Sequence, residues 1–142
     1  MYYVNTEQID ERLTFIPKVV QAVTEINNRW DGSLYASFAQ ERALHIAIEI
    51  VTDVGSLLID GFLMRDASSY EDIVDILVQE QVVSSSHHDS LLRLVRLRRA
   101  LVQHYTEWER NDIHPVLLEL PDMLPEFGES VLRFIAKEMH LA

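Results

Sequence analysis

The sequence predicts an all-α fold, an antiparallel bundle of about five helices, on three observations. Glycine and proline number only four each in 142 residues, so long segments lack helix breakers. No stretch alternates apolar and polar residues for long enough to form a strand, whereas apolar residues recur at helical spacing. The hydrophobic share of 48% and the charged share of 25% are typical of a globular protein. We therefore expect one helical domain over residues 1–142.

The start and stop signals place the helices in order. The first begins at Thr6 and runs to about Trp30, with Glu7 near its positive end and a bend at Pro17. Ser33 follows an Asp-Gly turn and is suited to cap the second helix. The following helices are predicted over residues 34–64, 70–80 and 87–107, and, after a short helix that Pro115 opens and Pro121 interrupts, 125–138.

Composition and charge exclude several functions. The net charge of −11 argues against strong non-specific binding of nucleic acid. The chain has no cysteine, which excludes disulfides and thiolate metal sites and fits the reducing cytoplasm. Charged residues interrupt both the first 30 residues and the most apolar stretch, residues 46–64. We therefore expect a cytoplasmic protein without a signal peptide, a membrane span or a membrane partner.

Positive charge is concentrated in one short segment. Arg93, Arg96, Arg98 and Arg99 place four of the twelve basic residues within seven positions. One interpretation is a basic cleft on an acidic body. The other is a solvated helix face whose arginines pair with carboxylates three or four residues away.

An arginine lies among the apolar residues of the predicted fourth helix. At about 100° per residue, Arg98 lies near the centre of the apolar stripe, and Tyr105 lies two turns further on the same side. A buried arginine requires a paired acceptor, so this segment is either a structural ion-pair anchor or a functional site. His104 falls at the edge of the stripe, where a single histidine is more often structural than catalytic.

The second helix supplies the candidate acceptors. It is apolar nearly all round, except for one narrow polar strip: Arg42, His45, Glu49, Asp53, Ser56 and Asp60. Either this strip faces water, or Glu49 and Asp53 point into a groove and meet an arginine of another helix. Arg98 is the partner that we expect in the second case.

These two helices resemble those of the HEPN superfamily, specifically its HepT-like branch of small bacterial helical proteins. The signature of that branch is Arg-x4-His-x-Tyr late in a long helix, which the segment Arg98–Tyr105 resembles. The stretch 39–44, followed by Glu49 and Asp53, is similar to the family's second helix, and residues 117–135 are similar to its final helices. The resemblance implies a HEPN-like, homodimeric helical fold.

The spacing of the motif departs from the family pattern by one residue. Arg99 and His104 have the expected spacing, but Tyr105 then follows at once. Arg98 and Tyr105 keep the family's frame, and Gln103 then stands where the family has histidine. Either His104 serves as the histidine after this shift, or the site is degenerate.

The resemblance implies a metal-independent endoribonuclease, the toxin component of a toxin–antitoxin system. Arg98 or Arg99 would hold the phosphate, His104 would exchange protons and Tyr105 would orient the RNA, with Glu49, Asp53 and Gln103 in support. No metal or other cofactor is expected.

The resemblance also implies two partners. A second copy would join through the motif-bearing helices, and an MNT-type nucleotidyltransferase antitoxin would transfer AMP to Tyr105. The alternative is a catalytically degenerate, dimeric binding or regulatory module in which Arg98 is a structural ion-pair anchor.

Overall fold

The computed structural model describes residues 2–140, and over these residues it contains helices and connecting turns but no strand. Phe15 alone separates the helices Thr6–Thr14 and Ile16–Asn28, and two residues in helical conformation separate His88–Val95 from Arg98–Val102. If each of these pairs is counted as one, the described chain has five helical units. The predicted all-α class is confirmed. The helices are α1 (Thr6–Thr14), α2 (Ile16–Asn28), α3 (Leu34–Gly61), α4 (Tyr70–Gln79), α5 (His88–Val95), α6 (Arg98–Val102) and α7 (Pro115–Glu138), with 3-10 turns at Ser85–His87 and Tyr105–Glu107.

The first predicted helix is divided near its proline, as α1 and α2. Pro17 has no N–H to donate, so the helical ladder cannot continue through it unbroken. The Phe15 N–H instead bonds the Arg12 carbonyl at 3.2 Å, and Pro17 lies in the first turn of α2. The sequence correctly predicted that the helix is disturbed at Pro17. It predicted a bend, whereas the structure has one helix that ends and a second that begins.

Helix α3 is the central element of the fold. The Ser33 hydroxyl accepts the Ala36 N–H at 3.1 Å, which confirms the predicted cap. The helix packs against α1, α2, α4, α5, α6 and α7. Its middle is fully buried, with Val51, Val54 and Leu58 at 0% exposure. Helix α3 therefore connects most elements of the fold, although Tyr35 near its start is 89% exposed.

The prediction of two separate C-terminal helices is wrong. Pro115 opens α7 as expected, but the helix continues through Pro121 and Pro125 to Glu138. Each proline removes one backbone hydrogen bond. Leu120 and Leu124, both at 0% exposure, are buried in the core, and this packing outweighs the missing bonds.

The predicted fourth helix, residues 87–107, is also wrong in its second half. The ladder tightens where the Leu97 N–H bonds the Leu94 carbonyl at 3.1 Å, and α6 ends at Val102. Beyond it the Tyr105 carbonyl accepts from the Arg110 guanidinium at 2.6 Å, so a charged side chain takes the place of a helical N–H. Tyr105 is therefore not on the same helical face as Arg98.

None of the helices over residues 2–140 is long and apolar enough to cross a membrane.

Candidate functional site

Arg98, the first residue of α6, is held by two side chains. Its Nε lies 3.4 Å from Glu49 Oε1, and its guanidinium carbon lies 4.0 Å from the centroid of the Tyr70 ring. The arginine side chain is 25% exposed. Carboxylate and aromatic face together satisfy a half-buried cation, which is the arrangement expected of an ion-pair anchor.

Asp53, the other expected acceptor, does not meet Arg98. Its Oδ2 lies 3.3 Å from Arg12 Nε on α1. Asp53 lies about one turn beyond Glu49, where α3 packs against α1. The sequence strip was recognised correctly, but only its Glu49 belongs to the motif region.

A chain of polar contacts continues from Glu49 along α3. His45 Nε2 lies 3.4 Å from the same Glu49 oxygen that Arg98 contacts, and His45 Nδ1 lies 3.3 Å from Arg42 Nη1. With His45 neutral and its proton on Nε2, Arg42 donates to His45, and His45 and Arg98 both donate to Glu49. Three residues of α3 and Arg98 of α6 are thereby linked in one line.

The end of α6 contains a turn that is wider than an α-helical turn. The Arg99 carbonyl accepts from the Gln103 N–H at 2.8 Å and also from the His104 N–H at 3.1 Å. The second bond closes a turn that is one residue wider than an α-helical turn. The backbone of His104 therefore comes one turn after Arg99, although five positions separate them.

Four motif side chains remain exposed beside this turn. Arg99, Gln103, His104 and Tyr105 are all exposed, Tyr105 by 57%. Within residues 2–140, none of these side chains makes a hydrogen bond or an ion pair with another residue. They are thus available to a ligand, whereas the guanidinium of Arg98 is already engaged.

Residues 105–114 are joined to α3 by hydrogen bonds and an ion pair that the sequence did not predict. Arg110 donates to both oxygens of Glu41 at 3.0 Å, in addition to its bond to the Tyr105 carbonyl. The fully buried Gln40 accepts the His114 N–H at 2.7 Å and donates to the Asp112 carbonyl at 3.3 Å. A polar Gln-Glu pair inside an otherwise apolar helix is the signal that indicates such ties.

His114 ends this segment and caps α7. Its Nδ1 accepts the Val116 N–H at 3.1 Å, and its ring stacks on Trp108 with centroids 5.6 Å apart. Burial lowers the pKa of His114, an effect that exceeds the opposing attraction of Glu119. The neutral imidazole required for the cap is therefore favoured.

The described residues contain no group of three or more histidine, aspartate or glutamate side chains positioned to hold a metal ion.

Comparison with known proteins identifies the class of this protein. Residues 9–131 match the family model described as Ribonuclease HepT-like, and the chain belongs to this family. The expected HepT-like identity is thereby confirmed.

The chain is also similar to particular proteins of known sequence or structure. It is 32% identical over 139 residues to a Bacillus subtilis (strain 168) protein named "Putative RNase YutE", covering 98% of this chain and 95% of YutE. The solved structure of YutE, described as a cytosolic protein of unknown function, matches with a TM-score of 0.85 at 32% identity, covering 97% of this chain and 95% of that one.

A second solved structure matches the fold. It is described as a toxin-antitoxin with AMP-PNP and has a TM-score of 0.69, covering 87% of this chain and 94% of the other. Its identity to this chain is 15%, so this likeness supports the fold alone.

Proposed function

We propose that this protein is a metal-independent endoribonuclease of the HepT-like family, acting through the exposed end of α6. The observation that supports this proposal is the separation of the two arginines. Arg98 is engaged by Glu49 and Tyr70, whereas Arg99, His104 and Tyr105 have exposed side chains without partners in the described chain. The relative YutE, named as an RNase, is consistent with this activity.

The proposed reaction is the attack of an RNA 2′-hydroxyl on the adjacent phosphate. Its oxygen bonds to phosphorus, the bond to the 5′-oxygen of the next nucleotide breaks, and a cyclic phosphate and a 5′-hydroxyl result. Arg99 is suited to hold two phosphate oxygens and stabilise their charge, and His104 is the group that transfers protons. Tyr105 orients the strand, and Glu49 positions Arg98 beneath the site.

We propose that the active form is a homodimer. The reaction needs one group to remove the 2′-proton and another to protonate the leaving oxygen. One chain offers a single His104, and a second copy supplies the other across a shared cleft. The single helical domain of residues 1–142 would then be one half of the site.

We propose that an MNT-type nucleotidyltransferase antitoxin regulates this toxin in the cytoplasm. The Tyr105 hydroxyl would attack the α-phosphate of ATP and release pyrophosphate, which leaves AMP joined to Tyr105. The adduct would occupy the phosphate position beside Arg99. The exposed tyrosine and the cytosolic description of YutE support this arrangement.

The alternative function is a degenerate binding module. Glu49 and Tyr70 hold Arg98 as that interpretation predicts, and the net charge of −11 disfavours RNA. The two functions differ in whether this protein cleaves RNA through Arg99 and His104.

The test is RNA cleavage in EDTA by wild type, Arg99→Ala and His104→Ala. Both variants should lose cleavage by about 100-fold or more while keeping their helical circular dichroism. Arg133→Ala and His140→Ala, exposed residues outside the motif, are matched controls and should retain activity. No cleavage by unmodified wild type, or cleavage that neither Arg99→Ala nor His104→Ala reduces and that therefore comes from a contaminating nuclease, would favour the degenerate module.

A further inference from the structure

A cleft of about 570 Å³ lies between α2 and the first half of α3, outside the motif. Alanines of both helices line it, together with two aromatic residues, Phe15 and Tyr35, and three cationic ones, Lys18, Arg29 and Arg42. We propose that this cleft binds single-stranded RNA and holds the part of the substrate next to the cleaved phosphate. The proposal rests on the proposed nuclease function and names how the strand is bound.

The three cations of the cleft lack carboxylate partners, unlike six arginines elsewhere in the described chain. Within residues 2–140, Lys18 and Arg29 make no side-chain hydrogen bond or ion pair, and Arg42 contacts only His45. The arginines with carboxylate partners are Arg12, Arg65, Arg93, Arg96, Arg98 and Arg110. In a chain of net charge −11, a cluster of unpaired cations fits an anionic ligand.

The carboxylates of the cleft leave these cations available. Glu25 and Asp31 also line it, yet neither forms an ion pair with another described residue. Hydrogen bonding to Ser33, whose N–H lies 3.0 Å from Asp31 Oδ1, lowers the pKa of Asp31 and keeps it ionised. Three cations and two carboxylates line the cleft, so its formal charge is +1, which suits the phosphates of a nucleic acid.

The aromatic residues indicate a single strand. Tyr35 is 89% exposed and Phe15 is 45% exposed, and neither ring stacks on another ring within the described chain. Exposed rings beside cations form the platform on which unpaired bases stack while the backbone contacts the charges. Bases in a duplex are already stacked and cannot lie on such rings. A cleft of this volume has the size of a site for about one or two nucleotides.

The cleft is continuous with the motif region through α3. Arg42 lines the cleft and contacts His45, which contacts Glu49, the partner of Arg98. Positions 42 and 49 are about 10 Å apart along the helix axis. One RNA strand can therefore contact Arg42 and reach the exposed end of α6.

The test measures binding separately from cleavage. The probe is a fluorescent, 2′-O-methylated single-stranded RNA, which lacks the attacking hydroxyl and cannot be cut, and anisotropy reports its Kd with the full chain. Tyr35→Ala should weaken binding about tenfold. Arg29→Ala should weaken binding and reduce the dependence of log Kd on log salt by about one. Tyr3→Ala, at an 83% exposed tyrosine outside the cleft, and Arg133→Ala are matched controls and should bind as wild type does.

Several results would overturn the proposal: equal Kd values for cleft and control variants, equal binding of a duplex probe, or no binding by wild type. A cleft variant that changes the oligomeric state but not the RNA affinity would identify a protein interface instead. Failure of the nuclease function looks different, since wild type would then bind the probe with cleft-dependent affinity but cleave no RNA.

Discussion

The helical core and the segment from Arg98 to His114 are both attached to α3, but by different interactions. In the core, α3 buries apolar side chains such as Val51 and Leu58 completely. In the segment, the residues from Gln103 to Glu107 are exposed, and Gln40, Glu41 and Glu49 of α3 hold its neighbours by hydrogen bonds and ion pairs.

The two kinds of interaction control different properties: apolar burial controls the stability of the fold, and polar contacts control the geometry of the site. Burial of apolar surface is non-directional and stabilises the whole fold. Hydrogen bonds to charged or buried groups fix particular atoms at particular distances. Substitutions in the core should therefore affect the free energy of unfolding most, and substitutions at the polar ties should affect the motif most.

The largest effect on stability is expected from Phe127→Ala in α7. Phe127 is 2% exposed, and loss of its ring should lower the free energy of unfolding by about 3–5 kcal/mol. Denaturant titration measures this loss, and the folded fraction should keep its cleavage rate per molecule. Leu132→Ala, at a residue 50% exposed in the same helix, is the control and should be nearly neutral. A folded Phe127→Ala protein without activity would contradict this division between stability and site geometry.

A smaller loss of stability but a larger loss of function is expected from Gln40→Ala. The change leaves the His114 N–H and the Asp112 carbonyl without their partner, at a cost of about 1–3 kcal/mol. Hydrogen exchange should accelerate in residues 105–114 before it accelerates in α7, and RNA cleavage should fall. Gln21→Ala, at an exposed glutamine of α2, is the matched control. Uniform acceleration across the chain would show that the segment and the core unfold together.

The smallest effect is expected from pH, through His114. Because burial lowers its folded pKa below the ordinary value of 6.5, the unfolded chain binds more protons between these two values. The free energy of unfolding should therefore fall as pH drops from 7 through 6.5 towards the lowered pKa, and protonation of Nδ1 also removes the cap of α7.

His114→Asn isolates this effect, because asparagine retains a capping oxygen and does not titrate. Wild type should lose stability relative to the variant between pH 7 and pH 5, as followed by thermal unfolding. A difference that stays constant with pH, or that reverses, would exclude His114 as the source.

Several local features followed directly from the sequence. Ser33 caps α3 and Pro115 opens α7 as predicted, because both signals act within one turn of the chain. The end of α6 and the continuation of α7 through Pro121 were missed. Both involve contacts beyond one helical turn: Arg110 bonds the Tyr105 carbonyl just after α6, and α7 is buried in the core.

The sequence by itself determined the all-α class, the starts of α1, α3, α4 and α7 and the resemblance to the HepT-like family, because periodicity, capping and motif spacing are local properties. Only the tertiary structure decided that Glu49 rather than Asp53 meets Arg98, and that Arg98 is engaged while Arg99 is exposed. Helical periodicity placed Arg98 in the apolar stripe but could not name what it contacts. Folding places a carboxylate and an aromatic ring beside Arg98 and solvent beside Arg99, because the partners lie on other helices.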